Sequence, residues 1–253
     1  MVLIEETYSV SRYPFDLVAP LYDRLMESMD YERWCDNYVA LLSATAPVER
    51  LLELGCGTGL MTRAFLRRAL QVHGVDRSAE MLAYAEHRCA PWGDAVSFAW
   101  GDFESYRCQA RYDGVVAPFD VLNYALSPEA LLRALQTAAT HLHPGQPLLF
   151  DVNTAYAFEM KMFDEEEVGP NAELRHWWCS RWEAATRIVQ VQMYFIQGEE
   201  VIHECQQQRA HSAEEISQAM TCAGFTDVTF FDAATLSAPL PESDRIYVRA
   251  VKA

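Results

Sequence analysis

Glu53-Leu54-Gly55-Cys56-Gly57-Thr58-Gly59 follows a short apolar run that starts at Leu51, and the next apolar segment ends in Asp76. No other feature of the chain constrains its fold as much. Glycines after a strand let it turn tightly into a helix, and the backbone then approaches a ligand with no Cβ in the way. An acid at the end of the second strand can accept hydrogen bonds from a ribose diol. The spacing selects among nucleotides. A dinucleotide fingerprint, Gly-x-Gly-x-x-Gly, needs glycine where this chain has Leu60, and it includes no acid two residues before the first glycine. Glu53, Gly55, Cys56, Gly57, Asp76 and the adjoining Arg77 are therefore the first ligand-binding candidates.

The 253 residues suffice for one large core plus a modest second layer. No apolar stretch approaches the roughly 20 residues of a membrane span. The start, Met1-Val2-Leu3-Ile4-Glu5-Glu6, has no basic region ahead of an apolar one, so a cytoplasmic location is expected rather than secretion. Seven scattered cysteines with no Cys-x-x-Cys pair read as reduced thiols, not as a disulfide framework or a zinc site. A net charge of −16, with Lys161 and Lys252 the only lysines, argues against a nucleic-acid partner. A small-molecule substrate and a monomer or homodimer are expected.

The chain reads as helices over residues 1–50, with Leu21, Leu25 and Met29 at helical spacing. Strand and helix then alternate. The strands are Arg50–Leu54, Val72–Val75, Val96–Trp100, Tyr112–Pro118 and Gln146–Val152, and Ser78 and Ser127 cap helices. After the fifth strand the rhythm breaks. A solvated charge run, Phe163-Asp164-Glu165-Glu166-Glu167, precedes Gly169-Pro170. Three period-two stretches follow at about Glu173–Trp182, Arg187–Ile196 and Val201–Arg209, with a turn at Gln197-Gly198-Glu199-Glu200. Ser212-Ala213-Glu214-Glu215 is a capping box, and Phe225–Phe231 and Arg245–Val251 are final strands. This predicts an α/β protein with a Rossmann-like, doubly wound, mostly parallel seven-stranded sheet and an inserted antiparallel β cap. The expected division is 1–154 for the N-terminal helices and nucleotide core, 155–211 for the cap and 212–253 for completion of the sheet.

Ligands of such sheets lie beyond the carboxyl ends of the strands. There, Asp102 after Gly101 is placed to accept from an adenine amino group, with Phe103 or Met81 against the ring; its alternative is an Asx turn. Phe119-Asp120 follows the fourth strand at the same edge, where Asp120 is either a site residue or the cap of a local turn. Tyr22 is either a site residue or a core aromatic. Trp177, Trp178 and Trp182 either cover the reacting centre or pack the cap on the body. His176, His203 and His211 have no metal-ligand spacing, so no metal is expected. Asp120, Asp151, His176 and His211 are the candidate bases, with Tyr22 a further candidate catalytic group.

Taken together these residues resemble the class I S-adenosylmethionine (SAM)-dependent methyltransferases of the small-molecule branch and, more distantly, the amino-sugar N-methyltransferases. The matching segments are Tyr22–Met26 with Trp34, Leu51–Gly59, Gly74-Val75-Asp76, Gly101-Asp102, Phe119–Tyr124, Phe150–Asn153 with Tyr156, Gln208-Arg209, Ala223-Gly224-Phe225 and Asp244-Arg245-Ile246. The resemblance implies that Glu53, Gly55 and Gly57 line the methionine end of SAM. It gives the ribose to Asp76, the adenine to Asp102 and a contact near the sulfonium to Phe119, with Tyr22 and Trp34 closing over it. Gln206-Gln207 replaces a histidine frequent in relatives, and Ala117-Pro118-Phe119-Asp120 replaces the Pro-Pro-Tyr signature of amide and base N-methyltransferases. The expected reaction is methyl transfer to a nitrogen or oxygen of a small metabolite. The alternatives are another SAM-consuming reaction, such as cyclisation releasing methylthioadenosine, and a non-catalytic SAM-binding regulatory domain. Arg209 either pairs with an acceptor carboxylate or holds the cap to the body.

Overall fold

The computed structural model describes residues 15–162, 164–168, 175–197 and 200–253. Phe163, Gly169-Pro170, the start of the stretch expected from Glu173, the Gly198-Glu199 turn and the first part of the N-terminal helical region lie outside the described residues.

Two helices come first, α1 (Ala19–Leu25) and α2 (Tyr31–Ser43). The alternating unit is β1 (Arg50–Leu54), α3 (Leu60–Arg67), β2 (Gln71–Asp76), α4 (Ala79–Cys89), β3 (Val96–Trp100), β4 (Gly114–Ala117), α5 (Pro128–Thr140) and β5 (Pro147–Asn153). A short helix α6 (Ala155–Glu159) leads to β6 (Glu165–Val168), β7 (Arg175–Glu183), β8 (Ile188–Gln197) and β9 (Glu200–Arg209). The chain closes with α7 (Ala213–Ala223), β10 (Phe225–Asp232) and β11 (Arg245–Lys252).

Seven strands form one sheet in the order β10-β11-β5-β4-β1-β2-β3. The pairs among β1 to β5 are parallel, and β11 runs antiparallel to both β5 and β10. The central strands β4 and β5 are buried along their whole length, as expected for strands covered on both faces. One face packs under α5 and α7 through residues such as Leu131, Leu135 and Met220. The other packs under α2 and α3 through Tyr38, Leu42 and Phe65. The direction of winding reverses between β1 and β4, so the carboxyl ends of these two strands open a crevice.

The helix starts follow from their sequence. Ser78 Oγ accepts from Met81 N at 3.1 Å and Ser127 Oγ from Ala130 N at 3.2 Å. Ser212 and Glu215 form the reciprocal capping box, and Gly224 ends α7 in the left-handed region at φ 84°.

The cap is a separate four-stranded antiparallel sheet in the order β6-β7-β8-β9. Its register sets Trp178 opposite Met193, Ser180 opposite Val191 and Trp182 opposite Val189. The stretch expected to be a solvated charge run contributes β6 instead. It is an edge strand. Met29 also departs from expectation, because α1 ends at Leu25.

Candidate active site

A cavity of about 380 Å³ lies beyond the carboxyl ends of β1, β2 and β4, between the sheet and the cap. At its sheet end the chain leaves β1 through Gly55, Gly57 and Gly59, all with positive φ. A Cβ on Gly55 would run into Val121, whereas one on Gly57 would meet nothing within 4 Å, so the turn is tight on one side and open on the other. Asp76 braces this turn. Its Oδ2 accepts from Gly57 N at 2.8 Å and its Oδ1 from Ser78 N at 2.9 Å. Each carboxylate oxygen carries two acceptor lone pairs, so Asp76 retains capacity for a diol. Glu53 is 1 % exposed and accepts from Thr62 Oγ1 at 2.5 Å. Burial pushes its carboxyl up to about 8. A buried acid in that condition, beside a second acid, suits a ligand that brings a cation.

Helix α1 covers this end. Asp23 Oδ1 accepts from Thr58 Oγ1 at 2.7 Å, Arg88 pairs with Asp23, and Arg88 Nε donates to Thr58 O at 2.8 Å. Tyr22 is thereby held against the cavity, as are Met81, Gly101 and Phe103 from β2 and β3 onward. The glycine turn, the strand-end acid and an enclosed lobe for a nucleoside fit SAM.

A family model described as a methyltransferase domain matches residues 51–145. The putative methyltransferase YqeM of Bacillus subtilis (strain 168) is 25% identical over 92% of this chain and 95% of its own length. The crystal structure of a SAM-dependent methyltransferase from Clostridium acetobutylicum ATCC 824 superposes with a TM-score of 0.81 at 22% identity. That match covers 95% of this chain and 99% of the other. A dTDP-3-amino-3,4,6-trideoxy-alpha-D-glucopyranose N,N-dimethyltransferase of Streptomyces venezuelae is 29% identical over 50% of this chain and 53% of its own length. The chain has the class I SAM-dependent methyltransferase fold and carries a methyltransferase domain over residues 51–145.

In this methyltransferase the loop after β4 joins the two ends of the cavity. Phe119 and Asp120 both sit in the left-handed region, at φ 59° and 52°. Asp151 on β5 holds them there. Its Oδ1 accepts from Phe119 N at 2.7 Å and its Oδ2 from Asp120 N at 3.0 Å. Tyr38 donates to it at 2.5 Å and Arg245 pairs with it at 2.6 Å. Asp151 is fully buried and outside the cavity lining, so the structure places it as a positioning group and not as a base facing an acceptor. Asp120 does line the cavity. Its Oδ1 pairs with Arg245 at 2.9 Å and its Oδ2 accepts from Gln208 of β9 at 2.7 Å.

Trp34 stands behind this loop. Its ring lies 4.7 Å from Phe119 and under the Arg245 guanidinium, so it faces a neighbouring depression and supports Phe119 from outside the cavity. Asp102 likewise turns away: its Oδ1 accepts from Glu104 N at 2.8 Å, the Asx-turn alternative, while its neighbours Gly101 and Phe103 line the cavity. Arg77 approaches Asp102 at 3.9 Å.

Neither candidate histidine reaches the cavity. His176 packs between Trp178 and Phe195 within the cap. His211 is 4 % exposed, with one ring nitrogen 2.9 Å from Ala125 O and the other 2.8 Å from Arg209. Burial, then Arg209, pulls His211 down to about 4, which leaves it neutral and committed to both partners. Arg209 itself pairs with Glu215 at 2.6 Å and does not line the cavity, which is the arrangement that holds the cap to the body. Of the cap aromatics, Trp178 lines the cavity, Trp182 packs on Phe158, and Trp177 stacks with Tyr194 on the far face. Among the described residues no group of three or more His, Cys, Asp or Glu is arranged to hold a metal ion.

Several lining residues were not anticipated: Tyr31, Tyr124, Asn153, Phe158, Gln206, Gln208 and Arg245. The period-two pattern of β7 to β9 carried the signal for Gln206 and Gln208. Its phase became readable only with the hairpin register, which seats Gln206 opposite Val191 and Gln208 opposite Val189.

Proposed function

We propose that this methyltransferase transfers the methyl group of SAM to a nitrogen of a small molecule held beneath the cap. The observation that carries the reading is the single cavity that joins the braced glycine turn at one end to the inner face of the cap at the other. SAM, when bound, supplies an electrophilic methyl on a sulfonium. The rest of the work is positioning, worth up to about 7–11 kcal/mol in the best intramolecular analogues.

The Gly55–Gly59 turn lets the ligand approach the backbone, Asp76 accepts from the ribose, and Glu53 faces the methionine ammonium. The half-buried Phe119-Asp120 loop marks the junction at which acceptor and methyl meet. Nitrogen is favoured over oxygen by the shortage of bases. No histidine lines the cavity among the described residues, and both oxygens of Asp120 are already engaged. Burial holds the Tyr22 and Tyr124 hydroxyls above their ordinary range, so they stay protonated and donate hydrogen bonds. A neutral amine attacks first and loses its proton afterwards, whereas a hydroxyl needs a base in the transition state.

Calorimetric titration with SAM, followed by mass spectrometry of S-adenosylhomocysteine formed with a metabolite mixture, tests the proposal. Binding plus amine-dependent formation of S-adenosylhomocysteine is expected. A well-folded protein that does not bind SAM, or that methylates alcohols and ignores amines, would overturn it.

A further inference from the structure

The acceptor end of the cavity has a chemical character that narrows what enters it. This inference rests on the methyl-transfer reading above. Beneath the cap the walls are Phe158, Trp178, Val189, Val191 and Met193, with Ser180, Gln206 and Gln208 as neutral polar groups. The cations in the lining, among the described residues, are Arg77 and Arg245. Arg77 follows β2 at the nucleoside end, near Asp102. Arg245 pairs with Asp120 at 2.9 Å and with Asp151 at 2.6 Å, and its guanidinium face covers Trp34. Arg209, the nearest cation on β9, is spent on Glu215.

A phosphate or carboxylate entering here would meet Asp120 and would have to take Arg245 from two acids. Such groups are ordinarily met by unspent arginines or by a run of backbone N–H donors, neither of which the described residues of the cap face supply. What this end does offer is an indole Nε1 on Trp178 and a side-chain oxygen on Asn153, both buried and without a hydrogen-bond partner. Asn153 is 3 % exposed. Unpaired polar atoms at the wall of an apolar chamber are satisfied by a ligand that carries a neutral donor or acceptor on an apolar body.

We infer that the acceptor is a molecule with an apolar ring or chain and no phosphate or carboxylate. A nucleoside-diphosphate-linked sugar, the acceptor class in the name of the Streptomyces venezuelae relative, does not fit this chamber. The sequence match to that relative covers 50% of this chain, and the chamber's own lining decides the fit.

The test uses the full chain saturated with S-adenosylhomocysteine. N-phenyl-1-naphthylamine, an uncharged arylamine whose emission rises in apolar surroundings, is titrated by fluorescence, and dTDP and inorganic pyrophosphate by calorimetry. Expected results are saturable arylamine binding, with no dTDP or pyrophosphate binding at concentrations a hundredfold above the arylamine Kd. Trp178→Phe keeps the apolar surface and removes the indole N–H, and it leaves S-adenosylhomocysteine affinity within about twofold. Ser180→Arg, made together with Asp164→Asn because Ser180 Oγ donates to Asp164, adds the missing cation. It should weaken the arylamine at least tenfold and create measurable dTDP binding, a gain that also reports an intact fold. The inference is overturned if wild-type protein binds dTDP more tightly than the arylamine, if it binds neither, or if the double variant binds S-adenosylhomocysteine normally and gains no dTDP binding. Absence of S-adenosylhomocysteine binding to wild type would instead overturn the methyl-transfer reading, so the two failures are distinguishable.

Discussion

Replacing Asp151 by Asn probes how the loop after β4 is kept in shape. The side chain keeps its size and loses its charge and half of its accepting capacity. In the native protein one oxygen accepts from Tyr38 and Phe119 N, and the other from Asp120 N and Arg245. An amide placed either way sets its NH2 against two donors. Removing one partner of a buried charged network costs about 3–5 kcal/mol. The loop has its own reason to leave. Two non-glycine residues in the left-handed region cost about 1–2 kcal/mol each, and Asp151 is what opposes their relaxation. At about 2–4 °C per kcal/mol for a chain of this size, the melting temperature should fall by roughly 6–20 °C. SAM affinity should fall too, because Phe119 and Val121 then lose their place beside the glycine turn. Differential scanning calorimetry and titration calorimetry on the same preparation read both. A melting shift below about 2 °C with native SAM affinity would refute the idea that Asp151 holds a strained loop.

Three further outcomes are expected. Asp76→Ala should weaken SAM by roughly 10- to 100-fold, the loss of one charge-assisted bond at about 1.5–3 kcal/mol; an unchanged Kd removes the ribose role. Glu53, raised to about 8 by burial, holds a proton at pH 7 that the unfolded chain has released, so its contribution to stability falls as pH rises from 4.5 to 8. An ammonium brought beside it should expel that proton, and SAM titrations at pH 7 in buffers of different ionisation enthalpy should show proton release that vanishes in Glu53→Gln. Arg209→Ala should destabilise the protein by about 2–4 kcal/mol in a urea melt while leaving SAM affinity intact, because the residue is a buried partner of Glu215. Burial opposes the Glu215 charge, yet bonds from Arg209 and the Ser212 backbone hold it down to about 2, so this stability is present above pH 4.5 and is lost as pH falls toward 2.

The cofactor end was the more legible half of the sequence. Glu53, the glycines and Asp76 are adjacent or one strand apart, and their spacing alone dictates a turn at a strand end. The helix caps at Ser78, Ser127 and Ser212 were readable for the same reason: a cap is a contact over three residues. Contacts between distant segments were not readable. Nothing near Asp151 shows that it meets Tyr38, 113 residues earlier, and Arg245, 94 residues later. The histidines misled because residue type was weighed without burial, and His211 is enclosed by Arg209 and Ala125 O. Asp102 and Trp34 lie one position or one layer from the cavity, a distance that spacing along the chain does not resolve.

The seam between cap and body has a consequence for how the protein meets a changing environment. Asn123 donates to the carbonyls of Asn153 and Arg209, Tyr124 donates to Gln206, and Gln208 donates to Asp120. The donors in these stitches are amides and a phenol, groups that neither gain nor lose a proton between mild acid and mild base. Glu215 beside them, held down to about 2 by bonds from Arg209 and the Ser212 backbone, keeps its charge across the same interval. A shift in cellular pH therefore leaves the roof fastened and is felt first at the floor, where Glu53 sits close to its midpoint.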